Sequence, residues 1–250
     1  MADYVIETRN MSRAFKGFLA VNDVDLKVRR GTIHALIGPN GAGKTTCFNL
    51  ITKFLQPTAG SVLLEGRDIT RTPPARVARL GMVRSFQISA IFPHLSVAQN
   101  LRVALQRKLG TSFHFWRSAR SLAVLDDEVA ALLDRVGLSA FAAIPAGELA
   151  YGRKRVLEIA TTLALDPKVL LLDEPMAGMG AEDISRTAAL IRKVAADRTV
   201  LMVEHNLSVV ADLSDRITVL QRGRILAEGT YDQISTDPAV IEAYMGSGHG

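Results

Sequence analysis

Apolar residues recur along the chain with two different spacings, and the change of spacing divides it into three stretches. In the first, Val24, Leu26 and Val28 alternate with polar Asp25 and Lys27, the two-residue period of a half-buried strand. Arg30-Gly31-Thr32 predicts a turn into a second strand, Ile33–Ile37. A glycine-rich loop follows, then a helix over Thr45–Phe54 that Pro57 ends. Val62-Leu63-Leu64 predicts a short strand that leaves through the turn-like Glu65-Gly66-Arg67-Asp68.

From about Val97 to Leu165 the spacing becomes helical. Val129, Leu132, Leu133 and Val136 form one stripe, Ile159, Thr162 and Leu163 another, and Gly137 and Gly152 read as breaks or turns. The last third alternates again: strands at Val169–Leu172, Val200–Val203, Ile217–Leu220 and Arg224–Ala227, with helices over 184–196 and 207–213. Apolar runs of four between helices predict an α/β fold, a mainly parallel sheet covered on both faces, with the helical middle inserted into it. The expected organisation is a core of residues 1–88 with 159–233, a helical subdomain of 89–158 and a loose tail of 234–250.

Composition narrows the classes. With 48% hydrophobic and 22% charged residues among 250, the chain is neither a disordered tail nor a membrane protein. Its longest unbroken apolar runs, Val129–Leu133 and Ala140–Ile144, are five residues, against roughly 20 for a spanning helix. The start, with Asp3 and Glu7, is unlike a signal peptide, and the single Cys47 excludes an internal disulfide. A soluble protein of a reducing compartment is expected. The charge is uneven. Residues 61–120 hold ten basic and two acidic residues, +8, while the rest of the chain sums to −3. Such a zone suits an anionic partner surface or a solvated helical face.

The loop Gly38-Pro39-Asn40-Gly41-Ala42-Gly43-Lys44-Thr45-Thr46 fits GxxxxGK[ST] between a strand and a helix. Its glycines let successive N–H groups curl around an anion, and the helix N-terminus adds partial positive charge. Lys44 reaches the outer phosphates and the Thr45 hydroxyl suits Mg²⁺. This points to a nucleoside triphosphate without separating a kinase, a GTPase or a motor. The strand Val169–Leu172 then ends in Asp173-Glu174-Pro175. Strand alternation predicts carboxylates facing different ways, Asp173 toward Mg²⁺ and Glu174 toward the attacking water.

In this order the motifs resemble those of the ATPase subunit of an ATP-binding cassette (ABC) transporter. The likeness covers essentially the whole chain. It implies a P-loop NTPase, RecA-like core with an antiparallel β subdomain and an inserted α-helical subdomain. It also implies ATP and Mg²⁺ as ligands, Phe15 stacked on adenine, Gln87 touching Mg²⁺ and sensing the membrane subunit, and His205 on the γ-phosphate. Leu149-Ala150-Tyr151-Gly152-Arg153 matches the signature segment, which opens a helix, here over Tyr151–Leu165 with Val156, Ile159, Ala160 and Leu163 buried. In the family that helix caps the γ-phosphate held by a second subunit. Two residues depart: Ala150 stands where the family has Ser, and Gly180 where it has Asp. Arg153 replaces a Gln. The departures predict a weakened composite site. The remaining histidines, His34, His94, His114 and His249, have no matching role and are expected to be structural or solvated.

Within the family, the Tyr-Gly signature, Ala177-Gly178-Met179 and Val203-Glu204-His205-Asn206 are most similar to ATPases that power import of branched-chain, hydrophobic amino acids. The implied partners are a second ATPase subunit, two membrane permeases and, indirectly, a periplasmic binding protein, with no nucleic acid. The implied location is peripheral, on the cytoplasmic face of a bacterial membrane. A urea or amide importer, a lipid or polysaccharide exporter, and an ABC ATPase acting on nucleic acid remain alternatives. Phe113–Trp116, flanked by Arg107, Lys108, Arg117 and Arg120, reads as a membrane-facing segment or an aromatic core plug.

Overall fold

The computed structural model describes residues 3–85, 91–106 and 124–245. Gln87 and the segment around Phe113–Trp116 lie outside them. The chain divides into two compact units, residues 1–84 with 168–176 and 191–250, and residues 85–167 with 177–190.

The first unit carries two sheets. One is antiparallel, ordered β2 (Phe18–Val24), β1 (Tyr4–Phe15), β5 (Ala59–Leu64), β6 (Arg67–Asp68), with β3 (Lys27–Arg29) also on β1. The other runs β11 (Arg224–Gly229), β10 (Arg216–Gln221), β4 (Ile33–Ile37), β9 (Thr199–Val203), β8 (Val169–Asp173), β7 (Met82–Arg84). It is parallel except for the edge strand β11. Strands β4, β8 and β9 are buried at every position, which is why they read as apolar runs rather than alternations. Helix α1 (Lys44–Ile51) buries Phe48, Leu50 and Ile51 in one core with Leu26, Val62 and Ile69 from the antiparallel part and Leu36, Leu171 and Leu201 from the parallel sheet.

The second unit is helical. In α3 (Val97–Leu105) a capping box closes the start: the Ser96 hydroxyl accepts from Gln99 N–H, and Gln99 Oε1 accepts from Ser96 N–H. Helix α4 (Asp126–Val136) has three acids in its first turn, Arg135 in its last and Gly137 at φ 71° beyond it, and it buries all four residues of the predicted stripe. Helix α5 runs Tyr151–Leu163. Its buried set is wider than expected, since Leu157 and the ion pair Arg155–Glu158 (2.8 Å) are buried while Val156 is only half so.

Three expectations change. Gly152 is no break but the second residue of α5, and the space of its missing side chain is taken by the Asp183 carboxyl. Residues 159–167 and 177–190, expected in the core, group with the helical unit; for the first, α5 continues through Leu163 as one element. The segment from 234 to 245 is not loose: α8 (Tyr231–Ser235) and α9 (Pro238–Met245) bury Ile234, Val240 and Ala243. Among the described residues, no helix is long and apolar enough to cross a membrane.

Candidate functional site

In-register parallel pairing brings four strand ends to one edge of the sheet. Leu36 of β4 and Asp173 of β8 both pair with Val203 of β9, and Arg84 of β7 pairs with Leu171. The loop after β4, the carboxylates at the end of β8 and the residues after β9 therefore meet at the carboxyl edge, where open α/β sheets bind ligands.

The loop's backbone is fixed by contacts that exclude side chains. A Cβ on Gly38 (φ 148°) would lie 2.1 Å from the Leu220 carbonyl oxygen, and one on Gly43 (φ 98°) 2.4 Å from that of Ala20. Gly43 caps α1 in the left-handed region with no side-chain hydrogen bond, leaving the first-turn N–H groups to a ligand. Lys44 folds back over the loop, its Nζ donating to Gly38 O at 2.6 Å and Pro39 O at 3.0 Å. Partial burial lowers its pKa, against which the Glu174 carboxylate acts. Thr45 is exposed, as are Asn40 and Gly41. A cleft of about 360 Å³ opens over the loop, with Lys44, Thr45, Thr46, Glu174 and Phe18 in its wall.

Asp173 is buried and paired with Arg84, whose Nη2 lies 2.5 Å from Oδ2. The guanidinium also reaches Asn49 Oδ1 at 2.5 Å and sits 5.0 Å from the Phe48 ring. Glu174 does not continue the strand. It takes φ 46°, in the left-handed region, while its N–H donates to Val203 O at 2.9 Å. The two carboxylates diverge through this turn, which corrects the expectation of strand alternation. His205 is exposed, with Nδ1 3.9 Å from Glu174 Oε1. Beneath it the buried Glu204 accepts from Met176 N–H (3.1 Å), His205 N–H (3.0 Å) and Asn206 N–H (3.2 Å). Glu204 thus ties the segment after Glu174 to the histidine turn. Sequence reasoning passed over both Glu204 and Arg84; the acid immediately before His205, at the end of an apolar strand, was the available signal.

Phe15 is 40% exposed, with the Arg13 guanidinium 4.7 Å from its ring centre. In the helical unit, Leu149 is buried and Ala150 is the N-cap of α5, without a side-chain cap. The Tyr151 hydroxyl donates to Ala177 O at 3.1 Å. The Arg153 guanidinium lies over the Phe141 ring at 4.1 Å. Gly180 precedes α6 (Ala181–Ala195) and accepts Ile184 N–H at 3.0 Å, with open space where a Cβ would project.

His34, His94 and Cys47 stay outside this chemistry. His34 is buried, Nε2 2.8 Å from Thr218 Oγ1, and burial pushes its pKa down to about 4, so it is neutral. His94 is exposed, and His114 and His249 are outside the described residues. Burial pushes the Cys47 thiol up to about 12, leaving it inert.

Comparison with known proteins identifies the family. The ABC transporter family profile matches residues 21–177, and that of the branched-chain amino acid ATP-binding cassette transporters matches 224–250. The high-affinity branched-chain amino acid transport ATP-binding protein BraF of Pseudomonas aeruginosa is 41% identical over 98% of this chain and 99% of its own length. LivG of Escherichia coli, of the same description, is 39% identical over the same shares. The crystal structure of the ADP conformation of an ATP-binding cassette of an ABC transporter superposes with a TM-score of 0.86 at 30% identity, covering 98% of this chain and all of that one. The chain belongs to the ABC transporter family, as one of its ATP-binding subunits, an ATPase coupled to transport.

Proposed function

We propose that this subunit hydrolyses MgATP at the interface of two ATPase subunits and thereby powers import of branched-chain amino acids through separate permeases. Support for the cargo class comes from the relatives' descriptions and from the match at residues 224–250. The observation that carries the hydrolytic reading is that Lys44 and Glu174 line one cleft over the phosphate loop. The subunit works peripherally, on the cytoplasmic face of a prokaryotic membrane, with a binding protein delivering cargo outside.

The loop N–H groups of residues 41–46 and Lys44 take the phosphates, and on binding Lys44 exchanges the carbonyls of Gly38 and Pro39 for phosphate oxygens. The Thr45 hydroxyl and the Asp173 carboxylate are hard oxygens that suit Mg²⁺ and would hold it, with Gln87, outside the described residues, as the third contact the resemblance implies; such ions take few protein ligands beside substrate phosphates. When bound there, the ion would supply neutralisation of the charge on the transferred phosphoryl group. Arg84 holds Asp173 in one orientation. Glu174 accepts a proton from the attacking water, a contribution of about 10²–10⁴ in rate. His205, set by Glu204, donates to the γ-phosphate, and Phe15 stacks on adenine. The uncapped N–H groups at Ala150–Arg153 of a second subunit close over the γ-phosphate, so that ATP joins the two subunits and hydrolysis releases them.

Glu174→Gln tests the reading. Hydrolysis should fall by at least 100-fold while ATP binding persists and a dimer accumulates in size-exclusion chromatography with MgATP. Normal turnover would remove Glu174 from the base role. For the cargo, the subunit reconstituted with its permeases in liposomes should drive ATP-dependent uptake of labelled leucine; uptake of urea alone would reassign it.

A further inference from the structure

Phe18 has no assigned role, yet 68% of it is exposed and it stands in the wall of the phosphate-loop cleft. Exposure of a large apolar ring at a site with Lys44, Thr45 and Thr46 calls for a ligand surface that covers it. The backbone explains its placement. Phe15 and Phe18 are direct partners across a two-residue hairpin, and its loop residues Lys16 (φ 46°) and Gly17 (φ 89°) both take positive φ, as the tight primed turn requires. Direct cross-strand partners project to the same face. Ala20, the extra residue of a bulge in β2 between the Ala14–Leu19 and Arg13–Val21 pairs, also lines the cleft.

Strand β2 is stitched to the phosphate loop. The Ala20 carbonyl fills the space beside Gly43. Asn22 N–H donates to Gly223 O at 2.8 Å, and Gly223 N–H donates to Ala42 O at 2.9 Å. Phe18 is therefore held about 7 Å of strand from the anion loop, a span that a ribose bridges. Phe15, by contrast, has one ring face occupied by Arg13, itself anchored through Nη1 to Gln56 O at 2.8 Å, and does not line the cleft.

We propose that Phe18 is a second base-contacting residue, so that the nucleobase lies on an aromatic pair, Phe15 and Phe18, at the hairpin tip. Phenyl rings offer a π face and no hydrogen-bond edge, so the pair accepts any purine triphosphate. The proposal rests on the ATPase reading above and adds a second residue, Phe18, to its base contact.

The experiment compares full-length wild type, Phe18→Ala and Phe18→Trp for binding of ATP, GTP and inorganic tripolyphosphate, which has phosphates and no base. Phe18→Ala should weaken both ATP and GTP by about 5- to 100-fold, leave tripolyphosphate unchanged, and be rescued by Phe18→Trp, whose fluorescence ATP should quench. Unchanged ATP affinity in Phe18→Ala overturns the proposal and leaves the ATPase reading standing. Equal weakening of ATP and tripolyphosphate assigns Phe18 to hairpin structure and also overturns it. Failure of wild type to bind ATP would defeat the ATPase reading itself.

Discussion

The phosphate loop and the signature segment are both turns that lead into a helix N-terminus, and they are finished to different degrees. Around Gly38–Thr46 the backbone is hemmed in: carbonyl oxygens of Leu220 and Ala20 stand where a Cβ would project from Gly38 and Gly43, Lys44 is folded onto the loop, and Gly223 donates to Ala42. At Leu149–Arg153 the helix starts on Ala150 with no side-chain cap, and the turn is held by buried Leu149, the Asp183 carboxyl against Gly152, the Tyr151 hydroxyl and the stacked Arg153. On the function proposed above, the first is an anion site built within one chain and the second is half of one, its N–H groups closing on a ligand that another subunit presents. A side chain at Gly38 or Gly43 should not be tolerated, whereas a hydroxyl at Ala150 should be tolerated or even improve the site.

Lys44→Ala gives the largest expected effect. It removes the one flexible cation of the loop, and turnover should fall by 100-fold or more, as for loss of a single transition-state donor. A steady-state phosphate-release assay reads it. Residual activity above a tenth of wild type would mean that the loop's N–H groups suffice.

Gly43→Ala against Gly180→Ala tests the contrast in packing. At Gly43 the new Cβ meets backbone 2.4 Å away at φ 98°, so neither side can yield, and a loss of about 3 kcal/mol or more is expected. At Gly180 the Cβ enters open space, and the change should lie within about 0.5 kcal/mol. Thermal melting of the two variants would settle the ranking; equal melting temperatures would break the comparison.

The parts of this site that are contiguous in sequence were legible there. Residues 38–46 and 173–175 carry their chemistry in one run, and the buried strands announced themselves as apolar runs. Distance hid the rest. Arg84 meets Asp173 across 89 positions through the β7–β8 pairing. Glu204 joins Met176 across 28. Gly152 looked like a helix breaker because the reason for it, the Asp183 carboxyl, comes from another helix. The C-terminal helix was readable and was passed over: Thr230 and Gln233 form a capping box, but glycines beyond 245 drew attention to looseness.

Acid should weaken the completed region through its scaffold. His34 lies in β4, the strand feeding the phosphate loop, and is buried neutral with a pKa near 4. The unfolded chain titrates it near 6.5. Below that value the unfolded state binds the extra proton, so stability is full above about pH 6.5 and is lost as pH falls toward 4, by up to about 3 kcal/mol. Denaturant unfolding of wild type and His34→Gln across pH 7.5 to 4.5 measures it. The variant should show a flatter profile, and parallel profiles would exclude His34 as the source.

The smallest and most discriminating change is Ala150→Ser. A serine hydroxyl carries one donor and two acceptor positions, so at the N-cap it can accept an N–H of the first turn of α5 and still donate outward. The first function belongs to the isolated chain and should add about 1 kcal/mol, a rise in melting temperature of about 2–4 °C. The second needs a phosphate delivered by the partner subunit and should tighten ATP about tenfold in the assembled pair, the worth of one hydrogen bond to a charged group. Stability and affinity therefore separate the two meanings of an open helix end. Higher stability with unchanged affinity would make Ala150 a missing cap and nothing more, and the signature would then be no less finished than the loop for its task. Higher affinity in the assembled pair would show that the site is weakened at the position where this chain lacks its hydroxyl.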